Sequence, residues 1–195
     1  MGNYWPGDSG ISCVPPSGPR LGVTGRPLRF VQAFLSDRSV TVKVGGHLGS
    51  SRHLTRGVPQ GSVISPLLFS AGLSALPAAA REGGTARYPV HVAIYADDVA
   101  LWVTGGGAGS GERWRAAEEL QRALTNVMHY LRVLGLDVSA AKTAALVYAP
   151  RPASYRSTLQ IDSREIQRRQ QVTYLGLTID RRLTWGQRWR VQSRK

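Results

Sequence analysis

Hydrophobic positions recur along this chain in two rhythms, one helical and one alternating, and the switches between them mark its elements. From Gly25 onward Leu28, Val31, Phe34 and Leu35 share a helical face, and Pro27 suits a first turn, so a helix is predicted that ends near Asp37 and Arg38. Val40, Val42 and Val44 then alternate with Thr41 and Lys43. Gly45 and Gly46 supply a turn, and a return strand is expected over residues 48–54. Ser65 as N-cap and Pro66 at the first helical position open a second helix, which Pro77 should stop. That helix carries no charge, which predicts enclosure on most sides. Residues 91–103 form two β-prone apolar runs that meet at Asp97 and Asp98, the pattern of a tight hairpin with its two acids at the tip. The clearest helix spans residues 114–134, with Leu120, Leu124, Val127, Leu131 and Leu134 on one face. Glu118 and Glu119 come early in it, Arg132 comes late, and Gly135 is its expected C-cap. Residues 143–148 read as a strand beside the acidic hairpin, 159–166 as a small hairpin around Asp162 and Ser163, and 172–179 as one further strand bent at Gly176.

Between these elements the sequence loses its period. Residues 1–24 are rich in Gly, Pro and Ser and are expected to be unstructured. Residues 105–111 are glycine-rich but lack the Gly-Lys-Ser/Thr of a phosphate loop, and read as a connector. The stretch from Gly57 to Ala80 is uncharged, yet Pro59, Pro66 and Pro77 break it, so it reads as a buried loop and helix and not as a membrane span. At 195 residues the chain has the size of one domain.

Charge narrows the picture further. The chain holds 25 Lys and Arg against 12 Asp and Glu, a formal charge of +13. Its lysines are Lys43, Lys142 and Lys195, so arginine supplies the excess, and residues 151–195, with 11 basic and 3 acidic side chains, contribute +8. Guanidinium groups offer phosphate a planar pair of donors, which points to a nucleic-acid partner; a solvated basic tail is the plainer reading. Cys13 is the lone cysteine, which excludes an internal disulfide or a cysteine-based zinc site within this sequence. Nothing resembles a secretion signal, and an intracellular protein, nuclear or in a cytoplasmic ribonucleoprotein, is expected.

The candidate chemistry centres on Asp97 and Asp98. Two carboxylates on one turn make part of a site for a hard divalent cation, which takes oxygen ligands and retains waters for substrate phosphates. An acidic turn at a sheet edge is the structural alternative. Gly7-Asp8-Ser9-Gly10 resembles the nucleophile segment of a chymotrypsin-type protease, but no histidine or aspartate precedes it as that fold requires.

Four segments in order resemble the palm of reverse transcriptases, most closely those of non-LTR, LINE-type (jockey-like) retrotransposons. They are Arg56-Gly-Val-Pro-Gln-Gly-Ser-Val-Ile-Ser-Pro-Leu-Leu-Phe69, Tyr95-Ala-Asp-Asp98, Gly135-Leu-Asp-Val-Ser-Ala-Ala-Lys142-Thr143 and Tyr174-Leu-Gly176. The resemblance implies an α+β polymerase-type palm over residues 25–185, an antiparallel sheet with helices packed on one face, followed by a basic end at 186–195 that starts a thumb. It implies RNA-directed DNA synthesis by two-metal nucleotidyl transfer with Mg²⁺ or Mn²⁺. Asp97 and Asp98 match metal ligands and, with Lys142, the catalytic set. Arg56, Gln60 and Gly61 match a nucleotide-binding loop, and Tyr95, Tyr174, Leu175 and Gly176 match primer or template contacts. The implied partners are an RNA template, a DNA primer and dNTPs, with no membrane.

The sequence also departs from that pattern. The family's first catalytic aspartate, expected on a strand before the helix at 27–37, has no counterpart, since Pro15, Pro16, Gly18 and Pro19 stand there. Fingers and most of the thumb are missing as well. The expectation is an N-terminally truncated palm, joined to an unrelated segment at 1–24, that does not polymerise as an isolated chain. The alternative is a non-catalytic nucleic-acid-binding module whose acidic pair is vestigial.

Overall fold

The computed structural model describes residues 22–54, 57–104, 110–148 and 158–183. Helix α1 (Gly25–Leu35) comes first and buries Leu35. Its end is tied by Ser36, whose amide and hydroxyl both donate to the Gln32 carbonyl, at 3.0 and 2.8 Å. Strands β1 (Ser39–Val40), β2 (Lys43–Val44), β3 (His47–Leu48) and β4 (Arg52–His53) then form one interrupted hairpin. Val44 pairs with His47 across a turn in which Gly45 and Gly46 both have positive φ, and Ser39 pairs with His53 further down. The alternation of Val40, Val42 and Val44 is present, but it covers no core, because all three side chains are exposed.

Helices α2 (Ser65–Gly72) and α3 (Leu76–Arg81) replace the single predicted helix. Pro77 does not stop a helix; it occupies the first turn of α3, where its missing N–H has no carbonyl to bond in any case. Nor does Ser65 cap α2. Ile64 holds the cap position and Ser65 is the first helical residue, its hydroxyl directed back to the Pro59 carbonyl at 2.5 Å. The expected enclosure of this uncharged segment is also incorrect for α2, since Leu67 is 70% exposed and Val63 just before it 95%.

Strands β5 (Val90–Tyr95) and β6 (Asp98–Val103) pair antiparallel through six positions, from Val90 with Val103 to Tyr95 with Asp98. Helix α4 (Ser110–Val133) begins inside the glycine-rich stretch, earlier than predicted; residues 105–109 of the expected connector lie outside the described residues. It closes as a Schellman motif: Gly135, at φ +74, donates to the Arg132 carbonyl and Leu136 to that of Leu131, both at 2.9 Å.

α4 organises the interior because it is apolar on two adjoining faces. One carries Val127, Tyr130, Leu131 and Leu134 into a cluster with Leu73, Ala75, Leu76 and Ala80, against which Val92, Ile94, Val99 and Leu101 of the hairpin pack. The other carries Leu124 and Met128 onto Ile161 and Ile166. Tyr130 donates its hydroxyl to the Gly72 carbonyl at 2.6 Å, joining α4 to the end of α2.

The remaining strands are short. β7 (Ala144–Ala145) has its ladder partner in β10 (Gln167–Arg168), in parallel; Ala145 and Leu101 of the acidic hairpin, beside which a strand was expected, both pack against the second cluster. β8 (Gln160–Ile161) and β9 (Arg164–Glu165) form the predicted hairpin, with Asp162 and Ser163 both at positive φ. The bent strand expected at 172–179 is instead a hairpin of β11 (Gln171–Tyr174) and β12 (Leu177–Asp180), turning at Leu175 and Gly176, because both residues adopt positive φ, +49 and +81. The fold is thus α+β. Among the described residues, though, the expected sheet is divided into six two-stranded ladders, five antiparallel and one parallel. No described helix is long and apolar enough to cross a membrane.

Candidate active site at the tip of the acidic hairpin

The pleat of the β5–β6 hairpin sorts its side chains into two sets. Val92, Ile94, Val99 and Leu101 pack on the core, so the alternate positions His91, Ala93, Tyr95, Asp98, Ala100 and Trp102 line the opposite face. At one end of that face the His91 and Trp102 rings stack with centroids 5.4 Å apart, and His91 Nε2 lies 2.8 Å from Thr104 Oγ1. At the other end Tyr95, 64% exposed, stands opposite Asp98.

Ala96 and Asp97 form the two-residue turn, with Ala96 at φ +51. Both carboxylates are exposed, and among the described residues neither takes part in an ion pair or a side-chain hydrogen bond. They are therefore two hard oxygen donors, adjacent, exposed and unclaimed by any cation among the described residues, which suits them to a divalent metal. No group of three or more His, Cys, Asp or Glu assembles a metal cluster among the described residues.

The base of the hairpin is held by a different network. Tyr88, buried just before β5, donates its hydroxyl to Glu112 in the first turn of α4, and Arg87 reaches the other carboxylate oxygen at 2.7 Å. The hydrogen bond from Tyr88 is the leading reason that the Glu112 carboxyl titrates below its usual value, and the same bond raises the Tyr88 hydroxyl above its own.

Other sequence-predicted site residues lie on separate loops. Gln60 and Gly61 are exposed at the centre of a turn from Pro59 to Ser62, with Gly61 at φ +88. Lys142 is exposed in a turn where its amide and that of Thr143 donate to the Ser139 carbonyl, at 3.1 and 3.0 Å. Tyr174, Leu175 and Gly176 sit at the tip of the β11–β12 hairpin. Arg56 lies outside the described residues. The structure thus unites Tyr95, Asp97 and Asp98 on one tip. No hydrogen bond or ion pair joins Gln60, Gly61, Lys142 or the 174–176 turn to them among the described residues.

A family model described as reverse transcriptase (RNA-dependent DNA polymerase) matches residues 21–179. The chain belongs to the reverse transcriptase family. It is 31% identical, over 156 residues, to the RNA-directed DNA polymerase from mobile element jockey of Drosophila melanogaster, a match that covers 80% of this chain and 16% of that protein. The probable RNA-directed DNA polymerase from transposon BS of the same species is 29% identical over 85% of this chain and 18% of its own length. The retrovirus-related Pol polyprotein from type-1 retrotransposable element R2 of Popillia japonica is 28% identical over 67% of this chain and 18% of its own. The chain spans less than a fifth of the length of these curated relatives, at 16 to 18%. The reverse transcriptase domain is of the non-LTR type, as the order of the four motifs led one to expect.

Sequence reasoning missed two structural residues of this region. Ser65 resembles an N-cap, and nothing in the sequence signals that Pro59 curls back to its hydroxyl. Tyr88 lies in what reads as a loop, and its partner Glu112 is 24 positions away. The His91–Trp102 stack, by contrast, follows from the hairpin register once Tyr95 is paired with Asp98.

Proposed function

We propose that residues 25–185 form a polymerase-type palm that takes part in RNA-templated DNA synthesis, with Asp97 and Asp98 as its metal-holding carboxylates. The observation that carries this reading is the hairpin tip: two adjacent, exposed carboxylates that no cation among the described residues pairs with, inside the stretch that matches the family. Members of this family use divalent metal ions. Asp97 and Asp98 would hold Mg²⁺, or Mn²⁺ in its stead, which would supply positive charge where phosphoryl transfer gathers negative charge and would ease ionisation of a primer 3′-hydroxyl. Two carboxylates leave the other coordination positions to water and substrate oxygens.

The other roles are assigned to this chain's own side chains. Gln60 hydrogen-bonds the sugar of an incoming dNTP, and Gly61 lets the backbone come close to it. Arg56 bonds phosphate or template, and Lys142 neutralises or protonates the departing pyrophosphate. Tyr95 lies beneath the primer terminus, and Tyr174, Leu175 and Gly176 grip the primer strand. The partners are an RNA template and a DNA primer, in keeping with the formal charge of +13.

The test has two readouts. Mn²⁺ should broaden the amide resonances of residues 95–99, and Asp97→Asn with Asp98→Asn should remove that broadening. Mn²⁺-dependent dTMP incorporation on poly(rA)/oligo(dT), lost in Asp97→Asn, would support polymerisation directly. Broadening that persists in the double variant overturns the metal site. Salt-sensitive RNA binding that survives both substitutions, with no incorporation, makes the chain a binding module instead.

A further inference from the structure

We infer that Ser65 is a positioning residue for nucleotide binding: its buried hydroxyl clamps the Pro59 carbonyl and thereby fixes the turn that presents Gln60 and Gly61. The inference rests on the nucleotide role proposed above for those two residues.

The geometry supports a clamp. The Pro59 carbonyl accepts two hydrogen bonds, from the Ser62 amide at 3.5 Å and from Ser65 Oγ at 2.5 Å. The first is at the outer limit of a useful bond, so the hydroxyl is the stronger closure. A second turn, Ser65 N–H to the Ser62 carbonyl at 3.3 Å, completes a closed loop from 59 to 65. Gly61, at φ +88, occupies the third turn position, which a type II turn reserves for a residue free to take positive φ. Proline at 59 has no amide to offer a competing bond and a φ fixed by its ring.

Two features distinguish this arrangement from an ordinary helix start. A serine at a helix entrance usually turns its oxygen toward free amides of its own helix, whereas Ser65 turns away from them and donates backward. It is also 5% exposed, so water has little access to replace the hydroxyl if it is removed. Gln60 and Gly61, by contrast, are exposed. The rigid end is therefore inside and the presenting end outside, as a loop needs if it is to meet a ligand without first paying to become ordered.

The experiment compares dTTP binding, in the presence of Mn²⁺, to the full chain and to Ser65→Ala, Ser65→Thr, Gln60→Ala and the Ser65→Ala/Gln60→Ala pair, with melting curves for each. Loss of one net hydrogen bond corresponds to roughly a tenfold weakening, so Ser65→Ala should weaken dTTP binding by about that factor while Ser65→Thr, which keeps the donor, restores it. In the Gln60→Ala background the serine substitution should cost little more, because the group it positions is gone. Equal dTTP affinity in wild type and Ser65→Ala overturns the positioning role while leaving the nucleotide site intact. Full additivity of the two substitutions also overturns it, by assigning Ser65 a merely structural part. Absence of dTTP binding in a folded wild-type chain fails the nucleotide role of the loop, and the inference with it. If Ser65→Ala does not fold, amide exchange at residues 60–62 in Ser65→Cys, an isosteric weak donor, decides: accelerated exchange supports the clamp and unchanged exchange overturns it.

Discussion

Ala96 bears the conformational cost of the acidic turn. At φ +51 it lies in the left-handed region, which costs an L-residue about 1–2 kcal/mol, and it does so between the paired Tyr95 and Asp98. The two-residue turn demands that conformation, because it must match the twist of two strands already in register through six pairs. Replacing Ala96 by Gly should therefore be neutral or slightly stabilising, whereas Ala96→Val, whose branched Cβ tolerates this region poorly, should destabilise by about 1–2 kcal/mol. Denaturant melts of the two variants check the contrast, and equal losses would show that the turn is unstrained. This cost was illegible in Tyr95-Ala-Asp-Asp98 itself, because alanine carries no mark of a positive φ. The acids were legible, since no apolar strand places two charges together without a use or a turn to hold them.

At the scale of elements, the decisive contact is between the loop after α3 and the flank of α4. A Cβ added to Gly83 would stand 2.3 Å from the Ala123 amide nitrogen and 2.4 Å from its Cα, both backbone atoms that cannot rotate aside. Gly83→Ala should accordingly cost about 3 kcal/mol by pushing the helix off its seat, while Gly111→Ala, with open space around it, should be nearly silent. Thermal melts of the two provide the comparison. A second joint, Tyr88 to Glu112, makes stability depend on pH. The Glu112 carboxyl is depressed in the folded chain, first by the Tyr88 hydrogen bond. Its contribution is therefore present above the ordinary value of 4.5 and lost as pH falls through the depressed one. The stability advantage of wild type over Tyr88→Phe should be full near neutrality and shrink below about pH 4.5. An advantage that stays constant down to pH 3 would mean that the bond does not favour the carboxylate. The long helix announced itself by its period, but Ala123 and Glu112 acquire their roles from neighbours 40 and 24 positions away, which no local pattern encodes.

Over the whole molecule, cohesion is uneven. Both core clusters draw on α4 and segments from Leu73 onward, and neither takes a residue from 22–54. In that earlier stretch Phe30, Val42, Val44 and Leu48 are 60 to 72% exposed. Amide exchange should accordingly be fastest in the β1–β4 ladders, intermediate in α1, which buries only Leu35 fully, and slowest in α4 and the β5–β6 hairpin, because opening the ladders exposes little new apolar surface. Equal protection throughout would contradict this ordering. The candidate site rises from the well-packed part, so its acids are held by the slowest-opening elements.

What the sequence determined by itself was local and periodic. Residues 91–103 are two β-prone, mostly apolar runs that carry their acids at the turn; residues 114–134 repeat at helical spacing; Gly45-Gly46 and Gly135 occupy positions whose dihedrals favour glycine. Four ordered motifs were enough to indicate the family. Only the tertiary structure decided what depends on distant partners. Pro77 starts a helix because Leu73 and Leu76 are drawn into the α4 core on either side of a break. Residues 172–179 fold back because Leu175 and Gly176 both take positive φ. Ser65 serves the loop and not the helix because Pro59 returns to it. Periodicity records which face a segment buries; it does not record which surface covers that face, and hydrogen bonds between segments are settled only when burial brings the chain together.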